Sequence, residues 1–300
     1  MVKKLIVRIS EGLGNQLFMY ANAYSLSKSL KYKLYIDNVS AYKKLKIRNY
    51  LLDKFNISSE IAEKNDLRDT FTKYLLYKFK KKADFLKKRK SFLIEHKNSS
   101  KETHFKNLRK ENYSEKLFIE GYFQSEKYFQ KHKNEIKKEF QIKDINYRNL
   151  FFDPNKIKDS QSVSISIRQH RFDEKKENIA NKEKSSNFTK ETVEYVNKSI
   201  FYFREKLSNP KFYIFSNDLT DLDKFFTDKD MFLVKHTKDK IINDFYLSSK
   251  CRHFIVGPTT FHWWTAYLSE YSEKMCIRPP DHLNFSSNKD IFPDSWVNVF

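Results

Sequence analysis

Short apolar runs alternate with longer amphipathic stretches along much of this chain, and the two periods predict strands and helices in turn. Leu5–Ile9 reads as a strand, Asn15–Leu30 as a helix whose amphipathic part starts at Leu17, and Lys33–Asp37 as a second strand. Residues 40–115 are Lys-rich and show no clean alternation, and the reading there is irregular and mostly helical. Leu117–Phe123 reads as a strand leaving through Gly121. A helix over Ser125–Phe140 follows, with Ser125 as its cap and Tyr128, Phe129, His132, Ile136 and Phe140 on one face. From about Gln161 the pattern becomes regular. Strands are predicted at Val163–Ile167, Phe212–Phe215, Met231–Val234, His253–Val256 and Met275–Ile277. Between them lie helices at Thr189–Leu207, Leu219–Phe226, Ile241–Ser249 and Phe261–Leu268, the first with a stripe of Val193, Val196, Ile200 and Phe203. Strands alternating with helices imply an α/β fold with a parallel sheet covered on both faces. Right-handed crossovers align the carboxyl ends of the strands along one edge, where such sheets bind ligands.

A length of 300 residues suggests two domains, placed here at 1–160 and 161–300, and no internal repeat or Pro-rich linker separates them. With 39% hydrophobic residues, 28 Phe and 18 Tyr, each half can bury a core, which excludes a disordered chain. The start, Met1-Val2-Lys3-Lys4, is basic, but its apolar run stops at Arg8, so it is no secretory signal. No uninterrupted apolar window of about 18 residues offers a membrane span. Cys251 and Cys276 are expected as buried free thiols in a reducing cytoplasm. Without a CxxC or Cys/His cluster, no metal is expected.

The net charge of +20 calls for an explanation. It is concentrated between Lys73 and Lys90, where nine Lys or Arg face the single acid Asp84 and alternate with aromatic and Leu residues. A basic amphipathic helix on a lipid surface and a plain solvated face are both open readings. No nucleic-acid motif accompanies the patch, so nucleic acid is not an expected partner.

Candidate chemistry gathers where strands end. Two of only four glycines, Gly12 and Gly14, sit in the turn Ser10-Glu11-Gly12-Leu13-Gly14-Asn15-Gln16 ahead of a helix. Glycine admits positive φ and close approach, and free amides at a helix start attract anions. Asn15 and Gln16 can grip a sugar or phosphate there. A ligand-free tight turn is the plainer alternative, and the spacing falls short of a dinucleotide fingerprint. After Ile167 come Arg168, Gln169, His170, Arg171, Phe172, Asp173 and Glu174; after Phe215, Ser216, Asn217 and Asp218; after Val256, Gly257 to Trp264 with Thr259 and Thr260 at a helix start. Arg, hydroxyls and helix amides on one edge form a phosphate site. A nearby Asp can accept the paired N1–H and amine hydrogen bonds of guanine, which adenine cannot supply. Taken singly, Thr259 and Asp218 are ordinary caps, Trp263 and Trp264 core packing, and His170 a polar loop residue.

The segments Gly12-Leu-Gly-Asn-Gln-Leu-Phe18, Gly121-Tyr-Phe-Gln-Ser-Glu-Lys-Tyr-Phe129, Phe215-Ser-Asn-Asp218, Thr259-Thr-Phe-His-Trp-Trp264 and Asp290-Ile-Phe-Pro-Asp-Ser-Trp296 occur in that order. Together they resemble the bacterial α-1,2-fucosyltransferases of glycosyltransferase family 11, over nearly the whole chain. The resemblance implies a GT-B-like fold of two Rossmann-type domains facing across a cleft. The first would be the acceptor-side domain with a basic helical insert at about 40–115; the second would bind the nucleotide sugar, GDP-β-L-fucose. It also implies inverting displacement at the fucose anomeric carbon without a metal. The acceptor implied is a galactose-containing oligosaccharide or a lipid-linked glycan of lipopolysaccharide or capsule, made at the cytoplasmic face of the inner membrane. The basic stretch 73–90, in the part the resemblance covers least, offers a peripheral contact there on its own pattern. In that group the motif His-x-Arg-Arg-x-Asp ends a strand; here it reads Ser166-Ile-Arg168-Gln169-His170-Arg171, so only the first Arg is kept. By the resemblance Arg168 grips the diphosphate, with Arg171 and His170 as substitutes for lost contacts. Asp218, beside Asn217, reads guanine. Thr259, Thr260 and Phe261 form the phosphate turn, and Asn15, with Gly12 and Gly14, lies near the donor. Glu11, Asp173, Glu174 and His170 stand as alternative bases. Asp221-Leu-Asp223 and Asp228-Lys-Asp230 match the metal-binding D-x-D only superficially, since they fall in or beside a predicted helix.

Two other readings compete. The altered arginine motif admits a GT-B-type transferase using another sugar nucleotide, which preferential stabilisation by UDP over GDP would reveal. A non-catalytic basic protein binding RNA or membrane through 73–90 would show salt-dependent affinity and no transfer.

Overall fold

The computed structural model of the chain describes residues 2–42, 48–95, 108, 111–174, 178–236, 238–286 and 290–299. These fall into two units, Met1–Lys143 with Ser286–Ile291, and Asp144–Phe285 with Phe292–Phe300.

In the first unit, β1 (Lys4–Arg8), β2 (Lys33–Asp37), β3 (Glu60–Ile61), β4 (Lys90–Ile94) and β5 (Tyr113–Glu120) form one sheet in the order β3-β2-β1-β5-β4. All neighbouring strands run parallel. Helix α1 (Leu13–Leu30) is buried on nearly every side from Leu13 to Ser27. The amphipathic stripe expected from Leu17 is therefore absent; Ala21, Ala23, Ser25 and Ser27 are small enough to let neighbours close in all round. The stretch 40–115 carries β3, β4 and the helix α2 (Phe71–Ala83), so it supplies two sheet strands as well as the expected helix. The single helix expected over Ser125–Phe140 is instead a pair of tight 3-10 turns, Glu126–Tyr128 and Gln130–His132, followed by α3 (Lys133–Glu139). Phe129 leaves helical dihedrals between them and buries its ring 6.3 Å from that of Phe18. Ser125 does cap the first turn, accepting from the Lys127 amide.

In the second unit, a helix α4 (Pro154–Asp159) precedes β6 (Ser162–Ile167), α5 (Ile179–Lys206), β7 (Lys211–Ser216), β8 (Met231–Leu233), α6 (Lys240–Lys250), β9 (His253–Ile255), α7 (Thr260–Leu268) and β10 (Cys276–Ile277). The sheet order is β10-β9-β6-β7-β8, again with parallel neighbours. The predicted stripe of Val193, Val196, Ile200 and Phe203 on α5 is buried in a core with Val163, Ile165, Phe212 and Ile214. Leu219–Phe226 forms only a 3-10 turn at Leu222–Lys224, entered through Asp221 at φ 62°. Trp263 and Trp264 are fully buried, Trp263 stacking on Tyr267 at 4.7 Å, so both belong to the core.

Each sheet starts at a central strand, β1 or β6, grows outward one way, and then reverses to the other side. The reversal opens a crevice at the carboxyl ends of the strands, where neighbouring loops diverge. In the second unit the strands that flank it are β6, β7 and β9.

Candidate functional site

At the carboxyl edge of the second sheet, the loops after β6, β7 and β9 are hydrogen-bonded to one another. Gln169 and Asn217 pair across the ends of β6 and β7. The Gln169 amide donates to Asn217 Oδ1 (2.9 Å), and Asn217 Nδ2 donates to the Gln169 carbonyl (3.1 Å). The Gln169 side chain donates onward to the carbonyls of Asp218 (2.8 Å) and Thr220 (3.0 Å). Arg171 reaches the third loop, its Nη1 donating to the Pro258 carbonyl at 2.6 Å, while its guanidinium lies 4.8 Å from the Phe188 ring centre. Gly257 sits where β6 and α7 converge; a Cβ there would collide with the Ser166 carbonyl and the His262 ring. Thr259 then caps α7, accepting from the His262 amide at 3.3 Å, which leaves Thr260 in the first turn. Phe261 packs edge-on against Phe245 of α6 at 5.3 Å.

Charge is concentrated here. Arg168 Nη2 meets Glu174 Oε2 at 2.6 Å. Burial, and then the positive charge of Arg168, lower the pKa of Arg171. The same pair of causes pushes His262 down to about 3, so the Arg168 charge is felt at the first turn of α7. His170, held at φ 56°, bridges two carboxylates: Nε2 lies 3.1 Å from Asp218 Oδ2 and Nδ1 lies 3.3 Å from Asp173 Oδ2. Asp218 Oδ1 accepts from the amide and hydroxyl of Thr220 at 2.9 and 2.7 Å, and these bonds, more than His170, lower its pKa. Asp173 is lowered chiefly by the Ser185 hydroxyl, which donates to its Oδ1 at 2.6 Å.

One group of residues escaped the sequence reading. Lys235 and His236, just past β8, and Lys240 of α6 line a cavity of about 300 Å³ with Asn217, Asp218 and Leu219. His236 Nδ1 bonds Asp244 at 2.6 Å, and its Nε2 accepts from the Phe151 amide at 3.0 Å. The rule that ligands gather at strand ends would have found them, had it been applied after β8 as it was after β6, β7 and β9.

In the first unit, Glu11, Gly12, Gly14 and Asn15 meet at the start of α1. The left-handed backbone falls on Glu11 (φ 63°), and Gly12 has φ −79°, so the glycine is not needed for positive φ. The Gly12 carbonyl accepts from the amides of Asn15 and Gln16 at 3.0 and 3.1 Å, and Asn15 Oδ1 accepts from Gln124 at 2.9 Å. Gln16 does not face a ligand. It is fully buried, donating to the carbonyls of Glu11 (2.9 Å) and Asn49 (2.7 Å) and accepting from the Leu51 amide (2.9 Å). Gly121 (φ 151°) makes the expected turn because Glu95 lies against it, taking the Tyr122 and Phe123 amides at 2.6 and 2.9 Å.

Among the described residues, no group of three or more His, Cys, Asp or Glu is placed to hold a metal ion. Asp228 and Asp230 both bind Arg204, at 2.7 and 2.8 Å.

The family model described as Glycosyl transferase family 11 matches residues 4–299. An alpha-1,2-colitosyltransferase of Escherichia coli is 27% identical, over 98% of both chains. The O-antigen biosynthesis glycosyltransferase WbnK of Escherichia coli is 26% identical, over 97% of this chain and 99% of its own. Among solved structures, the NodZ alpha-1,6-fucosyltransferase soaked with GDP-fucose superposes with a TM-score of 0.50 at 15% identity, covering 90% of this chain and 93% of its own.

Proposed function

The chain belongs to glycosyl transferase family 11, and from this we propose that it transfers L-fucose from GDP-β-L-fucose to a galactose hydroxyl of a bacterial surface glycan, forming an α-1,2 linkage with inversion. The observation that carries the proposal is the carboxyl edge of the second sheet. There Arg168, Arg171 and the first turn of α7 offer positive charge and free amides beside a cavity lined by Asp218.

In this reading the acceptor oxygen attacks the anomeric carbon of fucose, and the bond from that carbon to the diphosphate oxygen breaks. The leaving diphosphate gains negative charge, which Arg168, Arg171 and the α7 amides stabilise. Glu174 balances Arg168 until the donor arrives. Guanine takes over Asp218 Oδ2 from His170 with one of its paired donors, N1–H or the exocyclic amine, while the other shares Oδ1 with Thr220. Lys235 and Lys240, on the wall of the same cavity, serve the ribose or phosphate end. The base that takes the acceptor proton is Glu11, Glu174 or His170. Asp173 is the least suited, because both its oxygens are engaged and its pKa is lowered. Donor and acceptor held in register account for much of the remaining acceleration.

The similarity to an alpha-1,2-colitosyltransferase supports a second reading, with GDP-colitose as donor. Colitose is fucose without its 3-hydroxyl, so only a contact to that hydroxyl separates the two. Incubation with GDP-fucose or GDP-colitose and a panel of galactosides, followed by linkage analysis, tests both. Turnover of GDP-fucose to an α-1,2 product is the expected result; turnover of GDP-colitose alone selects the second reading. Stabilisation against heat by UDP rather than GDP overturns both.

A further inference from the structure

Helix α2 has two faces of opposite character. Its inner face is anchored to the first sheet. The Tyr77 hydroxyl donates to Glu120 at 2.5 Å, Lys81 meets the same carboxylate at 3.2 Å, and the Arg68 guanidinium stacks 3.8 Å from the Tyr77 ring centre. Just beyond the helix, Asp84 accepts from the amides of Ser91 and Phe92 at 3.0 and 3.1 Å. These contacts fix the opposite face outward.

That outer face carries Phe71, Leu75, Leu76 and Phe79, and the turn after it adds Phe85 and Leu86. Phe79 is 71% exposed and Phe85 and Leu86 are each 75% exposed. Isolated exposed apolar residues need no explanation, but a contiguous patch marks an interaction surface. At 3.6 residues per turn, Lys78 borders one side of the apolar arc and Lys80 the other, while Lys82 falls within it, between Phe71 and Leu75. Lys78, Lys80, Lys82, Lys88 and Arg89 make no ion pair among the described residues, whereas Lys73, Lys81 and Lys87 do.

We propose that the outer face of α2 with the Phe85-Leu86 turn docks the protein onto an anionic lipid bilayer. The apolar side chains would enter the headgroup boundary while the flanking cations meet lipid phosphates. A protein partner could cover the apolar arc, but unpaired cations beside and within it match a negative surface, and lysine stems reach such a surface while their alkyl portions lie along the apolar boundary. The inference stands apart from the sugar-transfer reading and rests on residues of the first unit.

The test is flotation of the full chain with vesicles of phosphatidylcholine alone, or with about one third phosphatidylglycerol. Wild type should float with the anionic vesicles only. Each cation near such a surface contributes on the order of a fivefold change in partition, so Lys78→Glu/Lys80→Glu/Lys82→Glu should lower it by at least 100-fold. Phe79→Ser/Phe85→Ser should lower it at least tenfold and remove the binding that survives high salt. Both variants change exposed side chains, and an unchanged thermal midpoint checks that they fold. Failure of wild type to float, equal binding to both vesicle types, or equal binding by the variants overturns the proposal. So does tighter, lysine-dependent binding to RNA with no flotation.

Discussion

At the scale of single residues, Arg168 and Gly257 make opposite predictions. Arg168 lies mostly buried, with 21% of its side chain exposed, and pairs with Glu174, a contact worth at most about 1 kcal/mol of stability. Its proposed role is in the transition state, where a fork of donors meets the leaving diphosphate. Arg168→Ala should therefore lower kcat by roughly 10²–10³, and Arg168→Lys by at least about tenfold, since lysine keeps the charge and loses the fork. The thermal midpoint should move by no more than about 3 °C in either variant. Steady-state kinetics beside a melting curve checks both, and near-normal turnover by Arg168→Ala removes that residue from the mechanism. Gly257 reverses the pattern. An added methyl meets the backbone of β6 and the ring of His262, neither of which is a flexible chain end. Gly257→Ala should cost at least about 2 kcal/mol of unfolding free energy, read as a lower urea midpoint, and should weaken donor binding by disturbing the start of α7.

At the scale of elements, the start of α1 is held by one buried amide. Gln16 satisfies the carbonyls of Glu11 and Asn49 and the amide of Leu51. Gln16→Leu keeps the volume and strands all three groups, so a loss of about 2–4 kcal/mol is expected; a loss below about 0.5 kcal/mol would mean that water replaces the amide. The sequence suggested the opposite role for Gln16 because a polar residue at a turn mouth looks the same whether it faces a ligand or the backbone. The same ambiguity explains what else was legible. Strands β1, β2, β7 and β9 were readable as short apolar runs, as parallel strands covered on both faces tend to be, and β6 as Val163, Ile165 and Ile167 alternating with serine. The first turns of α5, from Ile179, were not, because they carry almost no apolar side chains and show no period. Strand β3 is only two residues long, and β4 lies inside a Lys-rich stretch whose charge hides its pattern. At the candidate site, the loops after β6, β7 and β9 were legible as a list of residues. Their mutual hydrogen bonds were not, since Arg171 on Pro258 and His170 on Asp218 join positions far apart in the chain.

At the scale of the whole molecule, the response to acid should be set first by buried histidines and only later by carboxylates. Burial and Arg168 hold His262 at about 3, and burial with Arg252 holds His253 at about 4, whereas an unfolded chain titrates them near 6.5. Both folded values are depressed, so below about pH 6.5 the unfolded chain binds protons that the folded chain refuses. Stability is then complete above that pH and falls as pH drops, with His253 contributing down to about 4 and His262 down to about 3. Glu120 adds a later loss. Burial opposes its charge, but Arg68 and Arg8 outweigh this and set it at about 2, so its contribution fades between the unfolded value near 4.3 and about 2. The slope due to His262 alone is at most about 1.4 kcal/mol per pH unit. Thermal midpoints of wild type and His262→Phe, recorded from pH 8 to pH 4, isolate it. The variant can be less stable at every pH; what matters is that its midpoint should fall less steeply between pH 6.5 and 4 than that of wild type. Parallel curves would mean that His262 takes up its proton as readily in the folded chain as in the unfolded one, and that neither its burial nor the Arg168 charge disfavours the protonated ring.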